Sequence, residues 1–394
     1  MRRICSYALV TLVTCSAVGS DAVRRYSYAL TGTLQAATPS SADIAEVLIG
    51  YFGPASPSHA QAGDMWCAAA LAVEQANAAG GYQGAPFRLV PGWSENPWGT
   101  GVSDVARMAY VHQVWAIIGG IDGPSTHLAE QVVAKARLAL VNPAATDKSV
   151  NQASVPWMFS CVPQDHVQAA VLAPAIAAHV QDRPFVMVST VDHDSHLFVV
   201  ELLKALKDRG LAPAYHFELE AKQPSFPSML EKLLGIDPHA VILIADARNS
   251  ARMLGELRAS GYQGTVFGGP WVGSRAFLEQ AGPVGDGVIC PFLCVGSPAS
   301  HHFERDFTKR FGRTVDYLAA HTYDATTMTI AAIRQGGLDR TRIRDALKDL
   351  SPWQGVSGEI LWDAAGANAR PVRLGMVTGG RLQPLVQPAP IQEH

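Results

Sequence analysis

The chain has 394 residues, of which 48% are hydrophobic and 16% are charged. It is therefore long enough for two domains and apolar enough to bury a large core, which excludes a disordered chain. Its net charge of −3 gives no sign that nucleic acid or an anionic membrane surface is a partner.

Residues 1–20 predict a secretory signal peptide. Two arginines precede an apolar run at 7–14, and small residues follow it. The run is too short to span a membrane. Residues 12–15 also resemble a lipoprotein signal, in which the chain is cleaved and acylated at Cys15, and the sequence leaves both interpretations open. We expect a protein exported to the periplasm or otherwise outside the cytoplasm, with residues 21–43 as a tether.

From residue 44 onward the chain alternates strands with helices, a pattern that predicts parallel sheets covered by helices. The first series has strands at 47–52, 87–90, 114–118, 138–141 and 157–162 and helices at 64–79, 101–111 and 125–136. The second series has helices at 165–179, 197–209, 228–234 and 249–260 and strands at 185–189, 214–218, 240–245, 265–268 and 288–295. The last part has helices at 302–311 and 323–334 and strands at 358–362 and 372–377. Two successive half-sheets of similar length predict two similar lobes.

Two apolar strands run into small residues and hydroxyls, at 117–126 and at 138–146. Each segment places backbone N–H groups and a hydroxyl at the carboxyl end of a strand, where open α/β sheets bind their ligands. The first segment also opens a helix, so its N–H groups favour an anion such as a carboxylate. No nucleophile, base or set of metal ligands accompanies the two segments. They indicate a site that holds a small molecule without reacting with it.

The order and spacing of these motifs resemble those of the branched-chain amino-acid binding proteins, which are type I periplasmic solute-binding proteins of ABC importers. The resemblance covers residues 44–385. It is carried by IGYFGPAS at 49–56, GD at 63–64, AVEQANAAGGYQG at 72–84 and FRLV at 87–90, and by the segments 144–146, 159–165, 268–270, 323–325 and 355–363.

The resemblance implies an α/β fold of two Rossmann-like lobes, the Venus-flytrap form of the type I periplasmic binding proteins. Three hinge crossings join the lobes, near 162–165, 294–298 and 362–366. Lobe I is expected to contain 44–163 plus 296–362, lobe II 164–295 plus 363–388, and a tail 389–394. Ligand capture then closes the lobes by a hinge motion.

The first lobe contains two turns that the resemblance assigns to the ligand. Gly123, Ser125 and Thr126 lie where the family holds the ligand carboxylate, although Gly123 replaces the usual serine and keeps only its backbone donor. The alternative is an ordinary helix N-cap by Ser125 or Thr126. The second binding turn of the family, for which a tight strand-to-helix turn is the alternative, matches Ala144, Ala145 and Thr146.

The second lobe departs from the amino-acid pattern. Residues 192–196 read DHDSH where the family often has a tyrosine-glycine pair. We interpret them as a polar loop that lines the cleft, with His193 and Ser195 near the ligand. A metal site from His193 and His196, which are three residues apart and flanked by carboxylates, is the less favoured interpretation. We therefore predict no metal and no cofactor.

Three further positions decide which ligand the resemblance implies. In the family, an acidic residue that pairs with the ligand ammonium falls near the position of Trp271 in this sequence. A tyrosine of the family falls near the position of Asp246. Ala62 lies where an aromatic residue often covers the ligand side chain. Burying an ammonium without a partner is costly, so either Asp246 supplies that partner or the ligand is not an amino acid. An aromatic floor from Trp271 suits a flat or apolar acid.

The predicted function is a binding protein that captures a small carboxylate-bearing ligand, an amino acid or a related organic acid or amide. The family analogy implies delivery to the membrane permease of an ABC importer, and a monomer. A ligand sensor of the same fold that signals to a partner is the alternative. A dinucleotide-dependent enzyme is remote, because 119–123 lacks the G-x-G-x-x-G spacing and no acidic residue ends the next strand.

Overall fold

The computed structural model describes residues 44–385, except 95, 96, 221, 223, 224 and 295–297. The predicted signal peptide with Cys15, the tether 21–43 and the tail 389–394 lie outside the described residues. Within the described part, no helix combines the length and the apolar character that crossing a bilayer requires.

The first sheet has five parallel strands in the order β2-β1-β3-β4-β5. They are β1 (Val47–Phe52), β2 (Phe87–Gly92), β3 (Ala116–Gly119), β4 (Ala139–Asn142) and β5 (Met158–Ser160). The helices between them are α1 (Gly63–Ala78), α2 (Pro97–Ala106), α3 (Gly123–Ala136) and α4 (Ser149–Gln152), and one π turn at Arg107–Val111 extends α2. Strands β3, β4 and β5 are buried at every residue, as expected for parallel strands covered on both faces.

The second sheet has seven strands in the order β14-β13-β10-β9-β8-β6-β7. They are β6 (Phe185–Thr190), β7 (Tyr215–Leu219), β8 (Ala240–Ile244), β9 (Thr265–Gly268), β10 (Ile289–Phe292), β13 (Arg373–Thr378) and β14 (Arg381–Pro384). The helices of this part are α5 (Asp165–Val180), α6 (His193–Lys207), α7 (Pro227–Ile236), α8 (Ala247–Ala259) and α9 (Arg275–Ala281). Strands β6 to β10 are parallel, whereas β13 runs antiparallel to β10 and β14 antiparallel to β13.

Between β10 and β13 the chain returns to the first sheet. This return comprises α10 (Pro298–Phe311), α11 (Tyr317–Gly336), α12 (Arg340–Asp349) and a small hairpin of β11 (Trp353–Gln354) and β12 (Glu359–Ile360). Helix α11 packs against α1, and its residues Met328 and Ile333 join Val47 and Ile49 in one buried apolar cluster. We call the part built on the first sheet lobe I and the part built on the second sheet lobe II.

The predicted arrangement of two lobes joined by three crossings is confirmed. The chain just after the third crossing also ties the other two together. Asn368 Nδ2 donates to the carbonyl oxygen of Cys161 at 2.5 Å, and Arg370 Nη2 donates to that of Leu293 at 2.6 Å. Because Cys161 and Leu293 lie directly before the first and second crossings, the chain just after the third crossing is hydrogen-bonded to the start of the other two. The lobe boundaries given above stay predictions.

Residues 192–196 were predicted to be a loop, and the structure corrects this. They form the start of helix α6, since the Asp192 carboxylate accepts a hydrogen bond from the Ser195 N–H at 3.0 Å and caps the helix. Helix α12 was not predicted. Its sequence RTRIRDALKD is mostly polar, so only Ile343, Ala346 and Leu347 show its buried face.

Candidate functional site between the lobes

The N-terminus of helix α3 uses its hydroxyl groups to close its own first turn. The Asp122 carboxylate accepts from the Ser125 N–H at 2.8 Å, and Ser125 Oγ accepts from the Ile121 N–H at 3.0 Å. Thr126 Oγ1 donates to the Asp122 carbonyl at 2.7 Å. These bonds match the helix-cap alternative for Ser125 and Thr126. Their contact with a ligand stays a prediction.

The second predicted binding turn is also paired, by Asn142 of lobe I and by Asp165 of lobe II. Asn142 Oδ1 accepts from the N–H groups of Ala144 at 3.0 Å and of Ala145 at 2.9 Å. The Asn142 side chain thus closes a turn that mimics a backbone turn. Thr146 is buried, and its side chain forms a hydrogen bond with Asp165 at the start of α5. A ligand would have to compete with these partners.

The Gly123 N–H donates a hydrogen bond to a carboxylate of the opposite lobe. It donates to Asp194 Oδ1 at 3.0 Å and to Oδ2 at 3.3 Å, and Asp194 lies in the first turn of α6. The Asp194 oxygens therefore stand where the resemblance places those of the ligand carboxylate. Burial, together with the nearby carboxylates of Asp122 and Asp165, raises the pKa of Asp194 well above its usual range.

We predict that Gly123→Ser opens the lobes. A Cβ atom at position 123 would lie 2.4 Å from Asp194 Oδ1, so a serine there requires either the Asp194 side chain or the lobe that carries it to move. Such overpacking costs roughly 1–3 kcal/mol, enough to favour an open form. Small-angle X-ray scattering should show a larger radius of gyration. Adding Asp194→Ala should reverse the change, and identical scattering of Gly123→Ser and the wild type would contradict this prediction.

Two histidines meet one carboxylate beside this contact. His127 Nε2 lies 2.9 Å and His193 Nε2 3.2 Å from Asp147 Oδ2. Burial alone would raise the pKa of Asp147, but the hydrogen bonds from His127 and Ser149 hold it well below its usual range. The bonds to Asp147 and Glu130 raise the pKa of His127 to about 9.

Sequence reasoning singled out His193 but missed His127 and Asp147. Each follows directly after a predicted binding residue, Thr126 or Thr146, which was the available signal. The pairing of His193 with His196 is not what the structure shows, because the His193 ring meets Asp147 across the lobes.

Asp246 and Trp271 line one cavity of about 260 Å³ between the lobes. Lobe I contributes 59–61, 63, 64, 316 and 318, and lobe II contributes 246–248, 271 and 274–276. The Asp246 carboxylate caps α8, accepting from the Asn249 N–H at 2.9 Å and from its Nδ2 at 2.6 Å. Trp271 is half-buried, and its ring centroid lies 6.2 Å from that of Phe198.

Two other predicted ligand residues do not line this cavity. Ala62 is fully buried, and its N–H donates to His59 Nδ1 at 3.1 Å. Ser195 is also fully buried, and its hydroxyl accepts from Thr190 Oγ1 at 3.1 Å within lobe II. The structure therefore separates the predicted residues into a Gly123 region and an Asp246–Trp271 cavity.

Charged groups join the lobes at the wall of this cavity. Arg275 of α9 contacts Asp64 of α1, with 2.5 Å between Nε and Oδ2. Arg313 Nη1 lies 3.0 Å from the other Asp64 oxygen, and the Arg275 N–H donates to Asp316 at 3.0 Å. These bonds hold the cavity closed on one side.

A larger cavity of about 580 Å³ lies beside the second crossing. Its walls include Leu293 and Cys294 at the start of the crossing, Tyr317 of lobe I and Leu382 of lobe II. None of the predicted ligand residues lines it. The smaller cavity is therefore the better candidate for the ligand site.

Comparison with known proteins decides the family. A family model described as periplasmic binding protein matches residues 46–381. The chain belongs to the periplasmic binding protein family. A relative in Pseudomonas aeruginosa, the leucine-, isoleucine-, valine-, threonine- and alanine-binding protein, is 22% identical over 324 residues, which cover 81% of this chain and 86% of the relative.

Solved structures of substrate-binding proteins of transporters share the fold. The branched-chain amino acid transporter substrate binding protein of Streptococcus pneumoniae, in complex with isoleucine, has a TM-score of 0.78 at 20% identity and covers 86% of this chain and 98% of its own. A solute binding protein of an ABC transporter from R. palustris, in complex with benzoate, has a TM-score of 0.75 at 15% identity and covers 86% of this chain and 95% of its own. The relatives are binding proteins, which argues against the remote enzyme interpretation.

Proposed function

We propose that this periplasmic binding protein captures a small carboxylate-bearing solute between its lobes and delivers it to the membrane permease of an ABC importer. The observation that carries the proposal is the cavity that both lobes line, with Asp246 and Trp271 on one wall. Its volume is slightly below the roughly 300–1,000 Å³ of pockets for drug-sized ligands, which suits a small solute. Export to the periplasm is part of the same proposal.

The cavity walls support an amino acid, or a related acid or amide, as the ligand. Asp246 offers carboxylate oxygens to an ammonium or amide N–H, and the Trp271 ring offers an apolar surface to the body of the ligand. Arg248 is an exposed cation at the same cavity and suits the ligand carboxylate. Isoleucine and benzoate, which two structural relatives hold, are both small carboxylates with an apolar body.

Asp194 changes how a ligand carboxylate would be held. In the family-like arrangement the carboxylate meets the N-terminus of α3, but Asp194 already occupies that position at Gly123. We therefore place the ligand carboxylate at Arg248, with Asp194 remaining at α3.

Binding is tested by thermal shift and calorimetry with amino acids, their amides, and acids that lack the amine. A ligand at 100 times its Kd stabilises the native state by about 2.7 kcal/mol and raises the melting temperature. Asp246→Asn should lower the affinity for amine-bearing ligands by about 10-fold to 100-fold, because it removes a charge-assisted hydrogen bond of roughly 1.5–3 kcal/mol. Asp339→Asn is the matched control, since Asp339 also caps a helix but lies outside the cavity.

The other outcomes separate the alternatives. A different result would be that acids without an amine bind equally well to the wild type and to Asp246→Asn, but less tightly to Trp271→Ala. The ligand would then be recognised by packing on the Trp271 ring, and Asp246 would not bind an ammonium group. Solute uptake by cells that lack the protein, restored by the wild type, tests delivery to the permease. Ligand binding without any effect on uptake would favour the sensor function, and no shift with any of these compounds would contradict the proposed ligand class.

A further inference from the structure

Three side chains from both lobes converge beside the Gly123–Asp194 contact. His127 and Asp147 belong to lobe I and His193 to lobe II, and one ligand atom of each lies within 4.8 Å of the others. We propose that they form a site for a divalent transition metal such as Zn²⁺, which clamps the two lobes together. This site is separate from the cavity lined by Asp246 and Trp271.

The geometry at Asp147 favours a cation. The carboxylate is 2% exposed, and its Oδ2 faces three groups: His127 Nε2 at 2.9 Å, His193 Nε2 at 3.2 Å and Ser149 Oγ at 2.7 Å. Its other oxygen accepts from the Ser149 N–H at 2.7 Å, which fixes the orientation of the carboxylate. Without a metal, each imidazole pairs with this oxygen through a proton on Nε2, and His127 Nε2 also lies 2.9 Å from Ser149 Oγ. A metal ion replaces those protons and binds the two nitrogen lone pairs instead.

The surroundings of His127 resemble the outer shell of metal-binding histidines. Its second nitrogen, Nδ1, lies 3.3 Å from Glu130 Oε2. A carboxylate in this position holds the Nδ1 proton and directs the Nε2 lone pair to the metal. Glu130 is buried, and its Oε1 has no hydrogen-bond partner among the described residues. A divalent ion nearby would offset this buried negative charge.

The donor set identifies the class of metal. Two imidazole nitrogens and one carboxylate oxygen suit Zn²⁺ and neighbouring transition metals, whereas Mg²⁺ and Ca²⁺ prefer oxygen ligands. The His193 side chain is 42% exposed, so solvent reaches the site and water can supply a fourth ligand. Three protein ligands plus one open position is an arrangement that Zn²⁺ takes in proteins.

The position of the site has a consequence for lobe closure. Because His193 comes from lobe II and the other two ligands come from lobe I, the complete set exists only when the lobes are closed. A metal that binds the closed form better shifts the equilibrium toward it. Zn²⁺ would therefore act on closure without occupying the solute cavity.

The test is calorimetric titration of Zn²⁺ into the protein, purified without a polyhistidine tag. We expect one Zn²⁺ per chain and no binding of Mg²⁺ under the same conditions. His193→Ala should lower the Zn²⁺ affinity at least 10-fold, and Glu130→Gln by about 10-fold to 100-fold. His196→Ala is the matched control, since His196 is an exposed histidine on the same helix, and it should bind Zn²⁺ like the wild type.

A second readout separates metal binding from a merely structural role. Small-angle scattering of the wild type should show a smaller radius of gyration with Zn²⁺ than without it, and His193→Ala should show no such change. His127→Ala should lose Zn²⁺ binding as His193→Ala does, which covers the case that one variant fails to fold. Absence of stoichiometric Zn²⁺ binding, or equal affinity in wild type and His193→Ala, would overturn the proposal. So would a loss in His196→Ala as large as that in His193→Ala.

Discussion

Arg370→Met is expected to lower the free energy of unfolding by about 3 kcal/mol. Arg370 is buried just after the third crossing, where its guanidinium donates to the carbonyl of Ser357 at 2.8 Å and to that of Leu293 at 2.6 Å. Methionine fills a similar volume but donates no hydrogen bond. Two buried carbonyl oxygens would then lose a charged donor, and each buried acceptor left unpaired costs roughly 1–3 kcal/mol.

Asp324 adds to this loss. Its carboxylate accepts from the N–H groups of Val356 and Ser357, both at 2.8 Å, and lies near Arg370. Burial raises the pKa of Asp324 to about 6, and the positive charge of Arg370 acts in the opposite direction. Removing Arg370 leaves a buried carboxylate without its neighbouring cation, which is costly in a buried environment.

Urea unfolding of Arg370→Met beside Arg373→Met measures this effect. Arg373 lies three residues further along the chain, and its side chain is exposed, so its replacement should change stability by no more than about 0.5 kcal/mol. Equal stability losses in the two variants would show that the hinge hydrogen bonds are not the cause. A loss in Arg370→Met alone would identify the hinge as a stabilising element.

The sheet strands were predictable because burial leaves a local mark in the sequence. Strand β8 reads AVILI and is buried at every residue, so a continuous apolar run was enough to find it. Helix α12 has the opposite character, because only one side of it packs on lobe I and most of its residues are polar. The sequence pattern therefore predicted fully buried strands such as β8 but not a mostly polar surface helix such as α12.

The candidate site was predictable only as far as it lies within one lobe. The turns at 119–126 and 142–146 lie at the carboxyl ends of strands, as the apolar runs and the glycines in the sequence predicted. Their hydrogen bonds are largely internal. The contact of Gly123 with Asp194 joins residues 71 positions apart, and that of Asp147 with His193 joins residues 46 apart. Such pairs depend on how the lobes close, which no local pattern in the sequence records.

Asp64→Asn is expected to favour an open form of the protein and to lower the free energy of unfolding by about 3 kcal/mol. The Asp64 side chain is 6% exposed and lies between Arg275 of lobe II and Arg313 of lobe I. Asparagine keeps the shape of the side chain but removes its charge, so Arg313 would lose the carboxylate that it contacts and Arg275 would keep only its exposed partner Glu279. Breaking a buried ion pair by removing one partner costs roughly 3–5 kcal/mol, and we take the lower end because both arginines reach solvent.

Scattering and unfolding experiments test the two parts of this prediction separately. The radius of gyration of Asp64→Asn should increase, since Arg275 joins the lobes through Asp64. Glu74→Gln is the control, because Glu74 and Arg310 form an ion pair whose side chains are about half exposed, and such pairs contribute roughly 0–1 kcal/mol. A stability loss with unchanged scattering would mean that Asp64 stabilises lobe I alone. Because Asp64 also lines the cavity proposed for the solute, an open form of Asp64→Asn should bind solute more weakly, even though Asp246 and Trp271 are intact.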